Sequence, residues 1–218
     1  MPCHIKICGL SEETTLRAAI DAGADMIGFV HFPKSPRHVS LERAAELKKL
    51  LPVHIASVLV LVNPNDALLA EIAATVSPSY LQLHGNETPA RIAEIRTKYP
   101  AQKLIKALAI STKDDVSAAK EFETLVDMLL FDATPPIPNP QSPIPLPGGN
   151  GIAFDWKVLQ GFQSKQPWLL SGGLTAENVQ QALRESGAKM VDVSSGVESQ
   201  PGIKDADKIK AFLTAAKI

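Results

Sequence analysis

A chain of 218 residues with 45% hydrophobic and 21% charged residues has room for one large domain and an ordinary globular mix, which excludes a disordered or fibrous protein. Its formal net charge of −1, without any block of like charges, excludes the basic footprint expected of a nucleic-acid or anionic-membrane binder. The expected partner is a small molecule. Cys3 and Cys8 are the only cysteines, and no extended apolar leader follows Met1, so the expectation is a reducing, cytoplasmic setting without a disulfide framework. The longest apolar stretch, 55–62, is far short of the roughly 20 residues of a membrane helix.

Taken in chain order, short β-branched runs alternate with longer amphipathic ones. Strands are predicted at 5–8, 26–30, 56–62, 80–83, 104–107, 128–131, 168–170 and 190–193. Helices are predicted at 12–22, 41–51, 66–75, 89–98, 176–185 and 205–216, with Ser40 and Thr175 as N-cap types ahead of two of them. Strict alternation implies a parallel sheet, and eight repeats are the number that closes a (β/α)8 TIM barrel. An open doubly wound sheet has the same local pattern, but no Gly-x-Gly-x-x-Gly turn follows the first strand. The whole chain, 1–218, therefore reads as a single barrel domain. One segment stands out: seven of the 17 prolines fall in 133–151, as in a functional lid or a tolerated insertion.

Barrel active sites gather at the C-terminal ends of the strands. Cys8 ends the first strand, Asp132 the sixth and Asp192 the eighth. A thiol and a carboxyl on one rim suit base and acid roles, although Cys8 also reads as a small buried hydrophobe and Asp132 as a loop anchor. Lys6 reads as out of phase with Cys8 and so not facing it. Arg37, after the second strand, suits carboxylate or phosphate capture or is simply a solvated loop arginine. Gln82 and His84 share a face at the end of the fourth strand and could be site residues or a polar cap. Gly172 and Gly173 follow strand seven; Ser194, Ser195 and Gly196 follow strand eight. Barrels use these two loops to bind a phosphate through main-chain N–H groups, against the alternative of plain turn glycines. No metal-ligand spacing and no nucleotide-binding loop is present, so the expectation is cofactor-free, metal-free proton transfer on a phosphorylated substrate.

Several blocks in order along the chain, Lys6-Ile7-Cys8-Gly9-Leu10, Gly23-Ala24-Asp25 through Pro36-Arg37, Gln82-Leu83-His84-Gly85, Asp132 with 148–156, Leu170-Ser171-Gly172-Gly173-Leu174, 191–198 and 201–205, resemble the phosphoribosylanthranilate isomerases. That resemblance implies a barrel of tryptophan biosynthesis, a monomer or homodimer, performing an Amadori rearrangement. It implies Asp132 as general acid and Cys8 as general base. It also implies Arg37 on the anthranilate carboxylate, the loops around Gly173 and Ser195 on the phosphate, and Asp192 near the glycosidic nitrogen. A free carboxyl titrates at about 4 and a free thiol at about 8.5, so each role calls for surroundings that favour the opposite proton state, with helix termini as one source of positive potential at Cys8. Two departures accompany the match: the proline-rich sixth loop, and His31 where an aromatic residue is expected. A histidine-pathway aminoaldose isomerase would want an Asp where Cys8 stands. A catalytically inactive phosphate-ligand-binding barrel would need neither Cys8 nor Asp132.

Overall fold

Apolar residues on both sides of a strand's two-residue period give it two cores to face, and only a sheet covered by helices on one side and closed on the other supplies both. The computed structural model describes residues 3–133 and 154–217. Eight strands, β1 (His4–Cys8), β2 (Met26–Val30), β3 (Ala56–Leu61), β4 (Tyr80–Leu83), β5 (Lys103–Ile110), β6 (Met128–Ala133), β7 (Trp168–Leu170) and β8 (Met190–Val193), pair in chain order into a closed barrel. All these pairings are parallel, and β8 closes on β1 from His4↔Met190 to Ile7↔Val193.

The alternation sorts the strand residues cleanly. Ile27, Phe29, Leu59, Leu81, Leu83, Leu129, Phe131 and Val191 join the large core under the helices. Their neighbours Met26, Val58, Ile105, Met128, Leu130 and Leu169 form a separate cluster that fills the barrel. Burying each such side chain is worth about 1.5–3 kcal/mol. One step further along the strands the filling turns mixed: Cys8, Val30 and Val60 form a third cluster, and the buried polar residues Lys6, Gln82, Asp132 and Asp192 lie in phase with these inward-facing positions.

The outer layer comprises α1 (Glu13–Asp21), α2 (Leu41–Lys49), α3 (Asp66–Thr75), α4 (Pro89–Lys98), α5 (Lys113–Ala118), α6 (Val179–Ser186) and α7 (Ala206–Ala216). Ser40 caps α2 by accepting from the Arg43 N–H, as predicted. Thr175 does not cap α6. That helix starts later, after Asn178, because the Thr175 N–H donates to Asn178 Oδ1 at 2.8 Å and its carbonyl accepts from Val179, which spends residues 175–178 on a turn. Helix α5, the 3₁₀ turn Trp156–Leu159 and the antiparallel hairpin β9 (Glu198–Gln200) with β10 (Ile203–Lys204) are additions to the predicted elements. Strand β5 runs to Ile110 because Leu108, Ala109 and Ile110 pair with Phe131, Asp132 and Ala133. Of the proline-rich segment, only Ala133 lies within the described residues; the rest lies outside them. Among the described residues no helix is long and apolar enough to cross a membrane.

Candidate active site

Two polar clusters form inside the barrel, on different sides. The first lies between β1 and β8. Lys6 and Cys8 are two residues apart on one strand, so the pleat puts both side chains inside. This corrects the out-of-phase reading of Lys6: a spacing of two preserves the face. Lys6 is fully buried, and its Nζ donates to Asp192 Oδ1 at 2.8 Å. Gly28 on β2 makes room for the pair: a Cβ there would lie 2.9 Å from Cys8 Sγ and 3.2 Å from Lys6 Nζ. Burial pushes the Cys8 thiol upward, Lys6 and Lys204 pull it back, and Asp192 adds to the rise. Burial lowers Lys6, but the adjacent Asp192 and Cys8 outweigh it and leave its ammonium above the usual lysine value. The positive potential at Cys8 thus comes from two buried lysines.

The second cluster lies between β4 and β6. Gln82 and His84 share the inward face, and Gln82 Nε2 is 2.9 Å from His84 Nδ1. With the amide donating, the imidazole proton sits on Nε2, which points at Asp132 Oδ2 at 3.4 Å. Asp132 Oδ1 accepts from the Ala133 N–H at 2.9 Å. The Gln82 Oε1 atom is buried with no partner among the described residues. Strands β1 and β6 are separated by β7 and β8 on one side and by β2 to β5 on the other, so Cys8 and Asp132 enter the barrel mouth from different sides.

Arg37 is buried and not a solvated loop residue. Its Nε and Nη2 hold both carboxylate oxygens of Glu198, at 2.7 and 2.8 Å. Lys204 Nζ takes the same Glu198 at 2.6 Å and also donates to the Ser194 carbonyl and hydroxyl oxygens, at 2.9 and 3.2 Å. Burial opposes the Glu198 charge, yet the Arg37 and Lys204 bonds hold its carboxyl below the ordinary range; burial draws the Lys204 ammonium down. His31 turns onto its own loop, its Nδ1 at 2.9 Å from the Val39 carbonyl and its ring 5.1 Å from His38.

The glycine loops after β7 and β8 are in direct contact. A Cβ on Gly196 would overlap the Leu174 carbonyl oxygen, and one on Gly172, whose φ is +90°, would come within 2.6 Å of the Ala133 nitrogen. The main-chain N–H groups of Gly172 and Gly173 donate to no acceptor among the described residues, so this loop can present them to an anion. The sequence reading did not single out Lys6, Gly28, Glu198 or Lys204, all of which the fold packs around the candidate residues. Only Lys6 carried a local signal, its two-residue spacing from Cys8. No group of three His, Cys, Asp or Glu side chains able to hold a metal occurs among the described residues.

The chain and its barrel both have counterparts among known proteins. The family model described as N-(5'phosphoribosyl)anthranilate (PRA) isomerase matches residues 5–215. This chain belongs to that family. The N-(5'-phosphoribosyl)anthranilate isomerase of Paracoccus denitrificans is 50% identical over 216 residues, covering 99% of this chain and 98% of the relative. A crystal structure of a phosphoribosyl anthranilate isomerase in complex with reduced 1-(o-carboxyphenylamino)-1-deoxyribulose 5-phosphate superposes with a TM-score of 0.81 at 32% identity, over 99% of this chain and 98% of that one. Monomers of the dimeric isomerase of Thermotoga maritima give a TM-score of 0.80, also at 32% identity and with the same coverage.

Proposed function

We propose that this isomerase converts N-(5-phosphoribosyl)anthranilate to 1-(2-carboxyphenylamino)-1-deoxyribulose 5-phosphate in tryptophan biosynthesis. The whole 218-residue chain acts as one catalytic domain, as a monomer or homodimer in the cytoplasm. The observation that carries the residue assignment is the placement of Cys8 beside a buried ammonium and of Asp132 against a neutral-capable imidazole, on separate sides of one barrel mouth. Both described cysteines are free thiols, which suits a reducing compartment.

In this mechanism the protonated Asp132 gives its proton to the furanose ring oxygen. The C1–O bond breaks, and the nitrogen lone pair forms the C1=N iminium. The Cys8 thiolate then removes the proton on C2; the C–H pair becomes the C1=C2 bond of an enolamine, and the iminium pair returns to nitrogen. Loss of the enol proton and protonation of C1 complete the aminoketone. Each acid or base is worth about 10² to 10⁴ in rate. His84, steadied by Gln82, orients the Asp132 carboxyl, and Asp192 meets the substrate near the glycosidic nitrogen. Arg37, held rigid by Glu198, faces the anthranilate carboxylate. Gly172, Gly173, Ser194, Ser195 and Gly196 take the phosphate, with the Lys204 ammonium beneath Ser194 adding positive charge. No cofactor or metal enters any step.

The test is the decay of anthranilate fluorescence when purified protein meets freshly made phosphoribosylanthranilate, with the product identified by NMR. Decay well above the spontaneous rate with the aminoketone as product is expected. Tight substrate binding without turnover would leave the chain a ligand-binding barrel and sink the proposal.

A further inference from the structure

The mechanism gives the buried charge of Lys6 no task. Lys6 has no solvent exposure, sits inside the barrel two residues before Cys8, and is anchored by a 2.8 Å bond to Asp192, which lies 186 residues away in sequence. Burying an ammonium in a small aliphatic barrel is unfavourable unless well-placed partners compensate it. Asp192 is one partner. The same ammonium also lies beside Cys8, and the missing side chain at Gly28 leaves room for both: one Cβ at that position would touch Sγ, Nζ and the Cys8 backbone together.

We infer that Lys6 is the fixed counter-ion of the Cys8 thiolate, a positioning residue that favours the ionised form of the base inside the barrel and is itself held by Asp192. This inference rests on Cys8 being the base. The other groups around the thiol fit the assignment. From β2 and β3 the thiol meets Gly28, Val30 and Val60, with Phe32 beside them, and none of these side chains carries charge. From β8 it meets Asp192, whose charge opposes thiolate formation and is engaged by Lys6. From β10 comes Lys204, a second cation, but one bonded to Glu198 and Ser194. Arg37 packs against the backbone of Gly9 next door and is tied to Glu198. Lys6 is therefore the cation on the thiol's own strand and face, and the deeply buried site screens it little. The arrangement also explains how a buried thiol can serve as a base: burial disfavours the thiolate, and the adjacent ammonium works against that bias.

The experiment follows thiolate absorbance in the ultraviolet against pH, with kcat/KM measured on the same samples. The background is Cys3→Ser, because Cys3 is the other thiol and burial and then Asp25 push it up to about 11. Lys6→Gln keeps a donor for Asp192 and removes the charge. Gly28→Ala keeps the charge and inserts a methyl group between ammonium and sulfur. In both, the ionisation of Cys8 and the acidic limb of kcat/KM should move to higher pH together, by about one unit or more, which means an approximately tenfold or greater loss at neutral pH that alkaline buffer restores. A folded variant whose Cys8 titrates as in the parent overturns the inference, whatever its rate. Should Lys6→Gln fail to fold, Gly28→Ala decides by the same two outcomes. Full activity in Cys8→Ser would instead overturn the base assignment, and the absorbance titration would still say whether Lys6 governs the thiol.

Discussion

The β1/β8 side of the barrel and the β4/β6 side are built from different electrostatic materials. Around Cys8 the partners are permanent charges, with Lys6 bonded to Asp192 and Lys204 bonded to Glu198, all buried. Around Asp132 the partners are dipoles: a main-chain N–H at 2.9 Å, and an imidazole at 3.4 Å oriented by an amide. Among the described residues His84 is the ion-pair partner recorded for Asp132, and it is charged only when protonated. A base that must exist as an anion needs a cation that never leaves. A group that is to donate a proton is better served by dipoles than by a fixed cation, which would favour its ionised form more strongly. The barrel reconciles the two demands by distance, with opposite arcs of one ring of strands holding each environment.

The largest expected effect comes from removing either proposed proton carrier. Cys8→Ser and Asp132→Asn should each lower kcat by about 10² to 10⁴, measured as fluorescence decay under saturating substrate, with the fold retained. Equal activity in either variant would abolish the division between the two arcs.

Next comes the frame around the charged arc. Glu198→Gln leaves Arg37 and Lys204 buried against a neutral amide, and breaking such a pair costs about 3–5 kcal/mol in a denaturant titration. The folded-state value of Glu198 lies below its unfolded one, so its stabilisation is present above the ordinary glutamate value of about 4.3 and is lost as pH falls through the lower, folded value. The variant should lose that part of the acid sensitivity. Unchanged acid unfolding would mean that Glu198 is not the group being titrated.

A smaller effect is expected on the dipolar arc. Gln82→Leu removes the amide that orients His84, and roughly tenfold in kcat is the scale of one lost neutral hydrogen bond in a catalytic network. The loss should fall on kcat with little change in KM. The smallest is Ser40→Ala, remote from both arcs, which should cost about 1 kcal/mol of stability through the lost cap and leave kcat/KM alone.

Much of this architecture was legible before any coordinates. The bounds of β4, β7, β8, α3 and α4 follow directly from the sequence pattern, with Asn65 and Thr88 as the caps that open the two helices. The extra length of β5 and β6 was not legible, since it depends on one strand pairing with the other and not on either alone. Thr175 misled for a related reason: an equally good polar residue, Asn178, competes for the same turn. Cys8 and Asp132, the proposed proton carriers, were visible as reactive types at strand ends, while their surroundings were not. Lys6 finds Asp192 across nearly the whole chain, and Arg37 finds Glu198 from 161 residues away; no local pattern encodes either pairing. The two-residue period did place Lys6 on the face of Cys8, and that signal was there to be read.

The most direct test of the two-sided site uses substrate deuterated at C2 of the ribose, with the isotope effect on single-turnover conversion compared among wild type, Cys8→Ser and Asp132→Asn. If Cys8 removes the C2 proton and Asp132 opens the ring, weakening the base makes proton removal limiting and enlarges the effect, whereas weakening the acid makes ring opening limiting and suppresses it. The opposite pattern, or the same effect in all three proteins, would contradict the assignment of base and acid to these two arcs.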